Sequence, residues 1–344
     1  STIPCRWAQS STDTGRRTLR QVFFGLLKKY SPYRLFPDPL GTAETIIGNR
    51  GKPQSSRFFD SCGGEDPCPP PFPRMRGEKT GIIIKKGKTT MQYHGIFDTH
   101  AHYDDLKFEA DRDAVLKASP EHGVSLIVDP ACDLKSCAAV LDLANRYGFL
   151  YAAVGVHPEA AVEDGNGDYL SSVAEYTKAE KVVAIGEIGL DYYYDIPKDI
   201  QRRVFEEQLA LANDLGLPVI VHDREAHGDT YELLKRYRPK GIVHCYSGSA
   251  EMAEELVKLG FYIGFTGSVT FQNAKKLLLA AKAVPDDRIL LETDSPYLSP
   301  MPYRGLRNDS SRIPVIAERL AELRGTDAQT LIDQARENGC RVYG

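Results

Sequence analysis

From Gly95 onward the chain alternates two kinds of segment. Short apolar runs, GIFDTH, VSLIVDPA, FLYAAVGVH, VVAIGEIGL, PVIVH, KGIVHC, FYIGFTG and RILLETD, are rich in β-branched residues, as strands buried on both faces require. Between them lie amphipathic stretches such as LKSCAAVLDLANRYG, DIQRRVFEEQLALANDLG and SAEMAEELVKLG. Each carries apolar residues at helical spacing and a Gly where a helix C-cap is expected. Eight such strand–helix units in roughly 250 residues predict an α/β chain folded as a TIM (β/α)8 barrel, with a doubly wound open sheet as the alternative. The choice bears on chemistry, because a barrel builds its active site from the C-terminal strand ends and the loops after them.

Residues 1–90 lack this rhythm. They contain scattered Pro, Gly, Ser and Arg and the low-complexity run CGGEDPCPPPFPRMRG, with no sustained period of two or 3.6. The segment is expected to be a disordered or loosely structured basic extension, dispensable to a domain spanning 91–344. A truncation starting at Met91 tests that expectation. Charge divides at the same place: 16 Lys and Arg against 7 Asp and Glu before residue 91, and 27 against 40 after it. The basic segment could hold nucleic acid non-specifically. Its GIIIKKGKTT run is no phosphate loop, because five residues separate Gly81 from Gly87 where that loop has about four, and a strand approach rather than a helix follows.

Bulk composition, 42% hydrophobic and 26% charged, is that of a globular protein. No apolar run approaches the roughly 18 to 20 residues that span a bilayer, and QVFFGLL is too short for a secretory signal core. Seven cysteines without paired close spacing argue against a disulfide framework, so a cytoplasmic location is the expectation, with no obligate protein partner evident.

The candidate chemistry lies at the strand ends. His100 and His102 close the first strand, His157 follows the third, and Glu187 sits on the fourth. His222, His244 and Asp294 stand at the ends of the fifth, sixth and eighth. Any one of these could merely cap a helix; four imidazoles and two carboxylates at equivalent barrel positions, His157 set aside, point to a shared centre. Nitrogen and oxygen donors without thiolate suit Zn, Mn, Co or Mg ions in a hydrolytic site. Such ions would lower the pKa of a bound water and attract an anion such as phosphate.

The motifs FDTHAHYDD, VGVHPE, IGEIGLDYY, PVIVHDREAHGDT, IVHCYSGS and LLETDSPYLSPMPYRGLRND, in this order, resemble those of the TatD family of metal-dependent deoxyribonucleases in the amidohydrolase superfamily. The resemblance covers essentially all of 91–344. It implies two divalent metal ions: His100, His102 and Asp294 on one, His222 and His244 on the other, and Glu187 bridging them. It also implies a 3′-to-5′ exonuclease acting on single-stranded DNA or RNA. In that reaction Asp294 would also accept a proton from water. Arg224, two residues after His222, would clamp a phosphate, and His157 would orient the scissile group or donate to its leaving oxygen. Tyr192, with Tyr193 and Tyr194, could stack an unpaired base. Two other readings stand beside this one: a metal-dependent ester or amide hydrolase, such as a D-aminoacyl-tRNA deacylase, and a nucleic-acid-binding protein whose metals are structural. Cys245 is expected to face the core.

Overall fold

The computed structural model describes residues 93–344; the expectation for residues 1–90 lies outside the described residues. Eight parallel strands follow one another in chain order: β1 (Ile96–Asp98), β2 (Val124–Pro130), β3 (Leu150–Val154), β4 (Val182–Asp191), β5 (Val219–Arg224), β6 (Gly241–Val243), β7 (Tyr262–Phe265) and β8 (Ile289–Leu291). Strand β8 returns to β1 through Thr99 N–H to the Leu291 carbonyl (3.2 Å), Asp294 N–H to the His100 carbonyl (2.9 Å) and His102 N–H to the Ser295 carbonyl (2.7 Å). The sheet is therefore a nearly closed barrel, as the alternation of segments predicts, and not an open sheet.

The period of two explains its interior. Phe97, Val128, Tyr151, Val183, Ile220, Ile242, Tyr262 and Leu290, at least one from every strand, pack together with Tyr343. Their neighbours Ile96, Ile127, Val219, Val221, Ile289 and Leu291 belong to the larger cluster shared with the helices. Alternate side chains thus fill the barrel and its outer jacket. Continuing the inner parity by two residues toward the C-terminal end carries Ile220 to His222, Ile242 to His244 and Leu290 to Glu292.

The jacket consists of α1 (Arg112–Ala118), α2 (Leu134–Arg146), α3 (Tyr169–Tyr176), α4 (Lys198–Leu215), α5 (His227–Tyr237), α6 (Ala250–Lys258), α7 (Lys275–Ala283), α8 (Ile313–Arg324) and α9 (Ala328–Tyr343). Helix α2 starts at Asp133, whose carboxylate accepts the Ser136 N–H, and buries Cys137, Val140, Leu143 and Ala144 on one stripe. Helix α4 ends at Gly216, whose left-handed φ of 68° an L side chain would resist.

Two buried glutamines on α4 pin the barrel mouth. Gln208 accepts from Val156 N–H (2.8 Å) and donates to its carbonyl (2.9 Å), just before His157. Gln201 does the same for Asp191, at 2.8 Å in each direction. Each amide replaces a missing strand neighbour, so the chain ends its ladder without stranding polar groups. Among the described residues no helix is long and apolar enough to cross a membrane.

Candidate metal centre

Glu187 lies at the centre of the mouth, almost fully buried. Its Oε1 stands 2.7 Å from His244 Nε2, 2.8 Å from His222 Nδ1 and 3.5 Å from His157 Nε2. Its Oε2 stands 3.3 Å from His100 Nε2 and 3.5 Å from His102 Nε2. Asp294 Oδ1 approaches the same pair, at 3.7 Å from His100 Nε2 and 3.6 Å from His102 Nε2. All seven predicted strand-end residues are therefore brought together, with the two oxygens of Glu187 facing different imidazole pairs.

Hydrogen bonds on the far side of each ring decide what it presents to the site. His102 Nδ1 donates to the Pro130 carbonyl (3.1 Å), so a neutral ring points the lone pair of Nε2 inward. That lone pair meets His100 Nε2 at 3.0 Å, beside two carboxylate oxygens, a convergence of acceptors that suits a shared cation. His157 is the reverse case. Its Nδ1 accepts the Glu159 N–H (3.2 Å), which leaves a proton on Nε2 facing Glu187. His222 is held from both sides, with Nε2 on Asp191 Oδ2 at 3.0 Å.

The electrostatics follow from burial and crowding. Burial by itself would raise Glu187, but the surrounding imidazoles of His244, His100 and His157 prevail and hold its carboxyl well below the usual range. Burial likewise opposes charge on His222, yet its bonds to Asp191 and Glu187 push it up to about 10. His244 is raised in the same way, its burial outweighed by Glu187. His100, enclosed and stacked on His244 with ring centroids 3.9 Å apart, is driven well below its ordinary value by burial and by that neighbour. Asp294 is raised by burial. Nitrogen and carboxylate donors so disposed fit one or two divalent ions: the trios His100–His102–Glu187, His100–His244–Asp294 and His157–Glu187–His222 each keep their donor atoms within 4.8 Å of one another.

The remaining predicted residues lie at the rim. Strand β5 does extend to Arg224, which is exposed and lies 3.8 Å over the ring of Tyr193 and 5.4 Å over that of Tyr194. Tyr192 gives its hydroxyl to Asp229 Oδ2 (2.5 Å), and Asp229 also holds Arg202 at 2.7 Å. Cys245 corrects the expectation of a core position. Strand β6 stops at Val243, and Cys245 sits half-buried beyond it at φ 42°, its thiol 3.7 Å from the Thr266 hydroxyl.

Sequence reasoning missed several participants. Asp191 follows Glu187 by four positions on one strand, so a count of parity would have found it. Asp98 is fully buried and accepts from Thr293 N–H (2.9 Å), the Thr293 hydroxyl (2.6 Å) and the Ser310 hydroxyl (2.7 Å), tying β1 to the loop after β8. Asp104 and Asp129 form a further donor group with His102, and both oxygens of the fully buried Asp129 lack a partner. No local pattern marks either pairing.

An enzyme class follows from a barrel mouth that gathers imidazole and carboxylate donors in this way: the chain is a metal-dependent hydrolase. Its residues 97–344 match the family described as TatD related DNase, and the chain belongs to that TatD family within the amidohydrolase superfamily. It is 41% identical over 252 residues to the uncharacterized metal-dependent hydrolase YabD of Bacillus subtilis, an alignment covering 72% of this chain and 98% of that protein. A protein of Erwinia tasmaniensis named 3′-5′ ssDNA/RNA exonuclease TatD is 33% identical over 258 residues, covering 72% and 99%. Among solved structures, the TatD homolog YjjV of Escherichia coli K12 superposes with a TM-score of 0.68 at 35% identity, covering 72% of this chain and 98% of that one.

Proposed function

We propose that the chain is a two-metal phosphodiesterase that shortens unpaired DNA or RNA from the 3′ end. The observation that carries the reading is the division of Glu187, whose Oε2 faces His100 and His102 and whose Oε1 faces His222 and His244. In this reading His100, His102 and Asp294 would hold one ion, His222 and His244 the other, and Glu187 would contribute to both, within a catalytic domain of residues 91–344. When bound there, divalent ions such as Mg, Mn, Zn or Co would supply neutralisation of charge on phosphate oxygens and acidification of water. The rest is the work of the chain. Asp294, whose Oδ1 lies 3.7 Å from His100 Nε2 and 3.6 Å from His102 Nε2, would accept a proton from water at its carboxylate. His157 offers its Nε2 proton to an oxygen of the scissile group, and Gln208 fixes the backbone before it. Arg224 supplies a fork of donors for a phosphate at the rim, and Tyr192 borders the entry. The exonuclease name of the Erwinia tasmaniensis relative supports the substrate and the polarity.

The test incubates the full chain, stripped and reloaded with Mg, Mn, Zn or Co, with 3′-labelled and 5′-labelled single-stranded oligonucleotides beside Glu187→Ala. Metal-dependent release of 3′ mononucleotides that disappears in the variant is the expected result. Absence of cleavage with metal still bound would move the assignment to ester or amide hydrolysis, which aminoacyl-tRNA deacylation then tests.

A further inference from the structure

Two carboxylates from the first and second strand–helix units meet beside the metal centre. Asp129, on β2, shares the parity of Ile127 and Ala131, which pack with the jacket, and is fully buried. Asp104 stands two residues after His102 on the loop that follows β1, half-buried, and lies against Asp129 as a second negative charge. One donor atom from each of Asp104, Asp129 and His102 falls within 4.8 Å of the others. Oxygens held about 2.1 to 2.5 Å from a common ion are at most about 4 to 5 Å apart, so a single cation can touch both carboxylates.

Among the described residues no donor meets Asp129. Neither of its oxygens has a hydrogen-bond partner, and the Tyr103 amide lies near it without reaching bonding geometry. Arg112 is close enough to act on both carboxylates through its charge, but its Nε and Nη2 donate instead to the carbonyls of Tyr103 (2.5 Å), Asp104 (3.0 Å) and Asp105 (3.1 Å). His102 is engaged at both nitrogens, Nδ1 on the Pro130 carbonyl (3.1 Å) and Nε2 beside His100 Nε2 (3.0 Å). Its nitrogens therefore stay with the centre, and the two carboxylates remain for something else. A buried carboxylate without a compensating charge is costly, which calls for a proton or a cation between the pair. A shared proton would satisfy one oxygen of Asp129 and leave the other bare, whereas an ion that keeps part of its water shell reaches both.

We infer that Asp104 and Asp129 form a further cation site, separate from the imidazole-rich centre, for a hard divalent ion of the Mg class. The donors fit that class: two carboxylate oxygens and no free nitrogen or thiolate, with the remaining positions left to water. Half-buried Asp104 gives the ion a way in, and fully buried Asp129 anchors it. An ion there would tie the loop that carries His102 to the end of β2. The inference goes beyond the phosphodiesterase reading and is independent of which bond the centre cleaves.

The experiment loads the full chain with Zn, which imidazole donors favour over Mn, and removes the excess. Mn is then titrated in as a paramagnetic substitute for Mg, and the free ion is followed by electron paramagnetic resonance in wild type, Asp129→Asn and Asp104→Asn. Wild type is expected to take up one Mn per chain more than either variant and to release it to excess Mg, while Zn content is the same in all three. An asparagine amide reproduces a protonated acid in shape and hydrogen bonding, so a shared proton predicts equal Mn uptake in all three proteins. That result overturns the site. Loss of Zn from the variants together with Mn also overturns it, because the two carboxylates would then be supporting His102 in the centre. Circular dichroism establishes that each variant is folded, and Asp104→Asn, at the half-buried position, carries the test should Asp129→Asn not fold.

Discussion

Gly189 packs against His222 across the β4–β5 ladder so closely that a Cβ at position 189 would stand 2.0 Å from the His222 carbonyl oxygen. Its φ of 150° adds a conformation that L side chains rarely adopt. The absent side chain lets the strand carrying Glu187 and Asp191 lie against the one carrying His222. Gly189→Ala is expected to cost about 3 kcal/mol and to lower metal content, because relief requires β4 and β5 to part. A urea midpoint unchanged from wild type would remove this argument.

Glu187→Gln keeps the shape of the side chain and removes its charge. Five imidazole nitrogens lie within 3.5 Å of the two oxygens, and an amide can satisfy them only in part. Turnover of phosphodiesters should fall by about a thousandfold or more, and bound metal measured by emission spectrometry should drop below that of wild type. A variant that retains both full metal content and activity would show that Glu187 is not the shared ligand.

Asp191→Ala tests support from outside the donor set. Asp191 holds His222 Nε2 at 3.0 Å, on the opposite side of the ring from Glu187. Removing such a partner should weaken metal affinity about 10- to 100-fold while the fold persists, since Gln201 bonds the Asp191 backbone and not its carboxylate. Competition with a chromogenic chelator reads the affinity directly; no change would make Asp191 a bystander.

Chelation should abolish activity without unfolding the barrel, whose inner and outer apolar cores include none of the donor residues. Circular dichroism after metal removal is expected to match the loaded protein, with a lower melting temperature. At a hundred times its dissociation constant a bound ion adds about 2.7 kcal/mol. Loss of the far-ultraviolet signal on chelation would instead make the ions part of the folding nucleus.

Asp98→Ala removes the acceptor for three donors that bind β1 to the segment after β8. Stranding the Thr293 N–H and two hydroxyls should cost about 3 kcal/mol or more, read as a shift in the denaturation midpoint. Asp98→Asn keeps one acceptor oxygen and should lose less; equal losses would assign the effect to packing alone.

Much of this protein was legible along the chain because its information is local. A strand alternates every two residues whatever lies beside it, so apolar runs such as VSLIVDPA and PVIVH announced β2 and β5, and His222 and His244 could be placed two positions beyond inner residues Ile220 and Ile242. Tertiary structure alone decided how those side chains meet. Which oxygen of Glu187 faces which imidazole depends on the stagger between neighbouring strands, including the irregular register between Ile185 and Ile188. The partners of Asp98 lie 195 and 212 residues away, joined only when the last strand closes on the first. Three consecutive tyrosines look alike in sequence; contacts from separate segments, Asp229 on Tyr192 and Arg224 on Tyr193, commit the first and leave the second exposed at the rim.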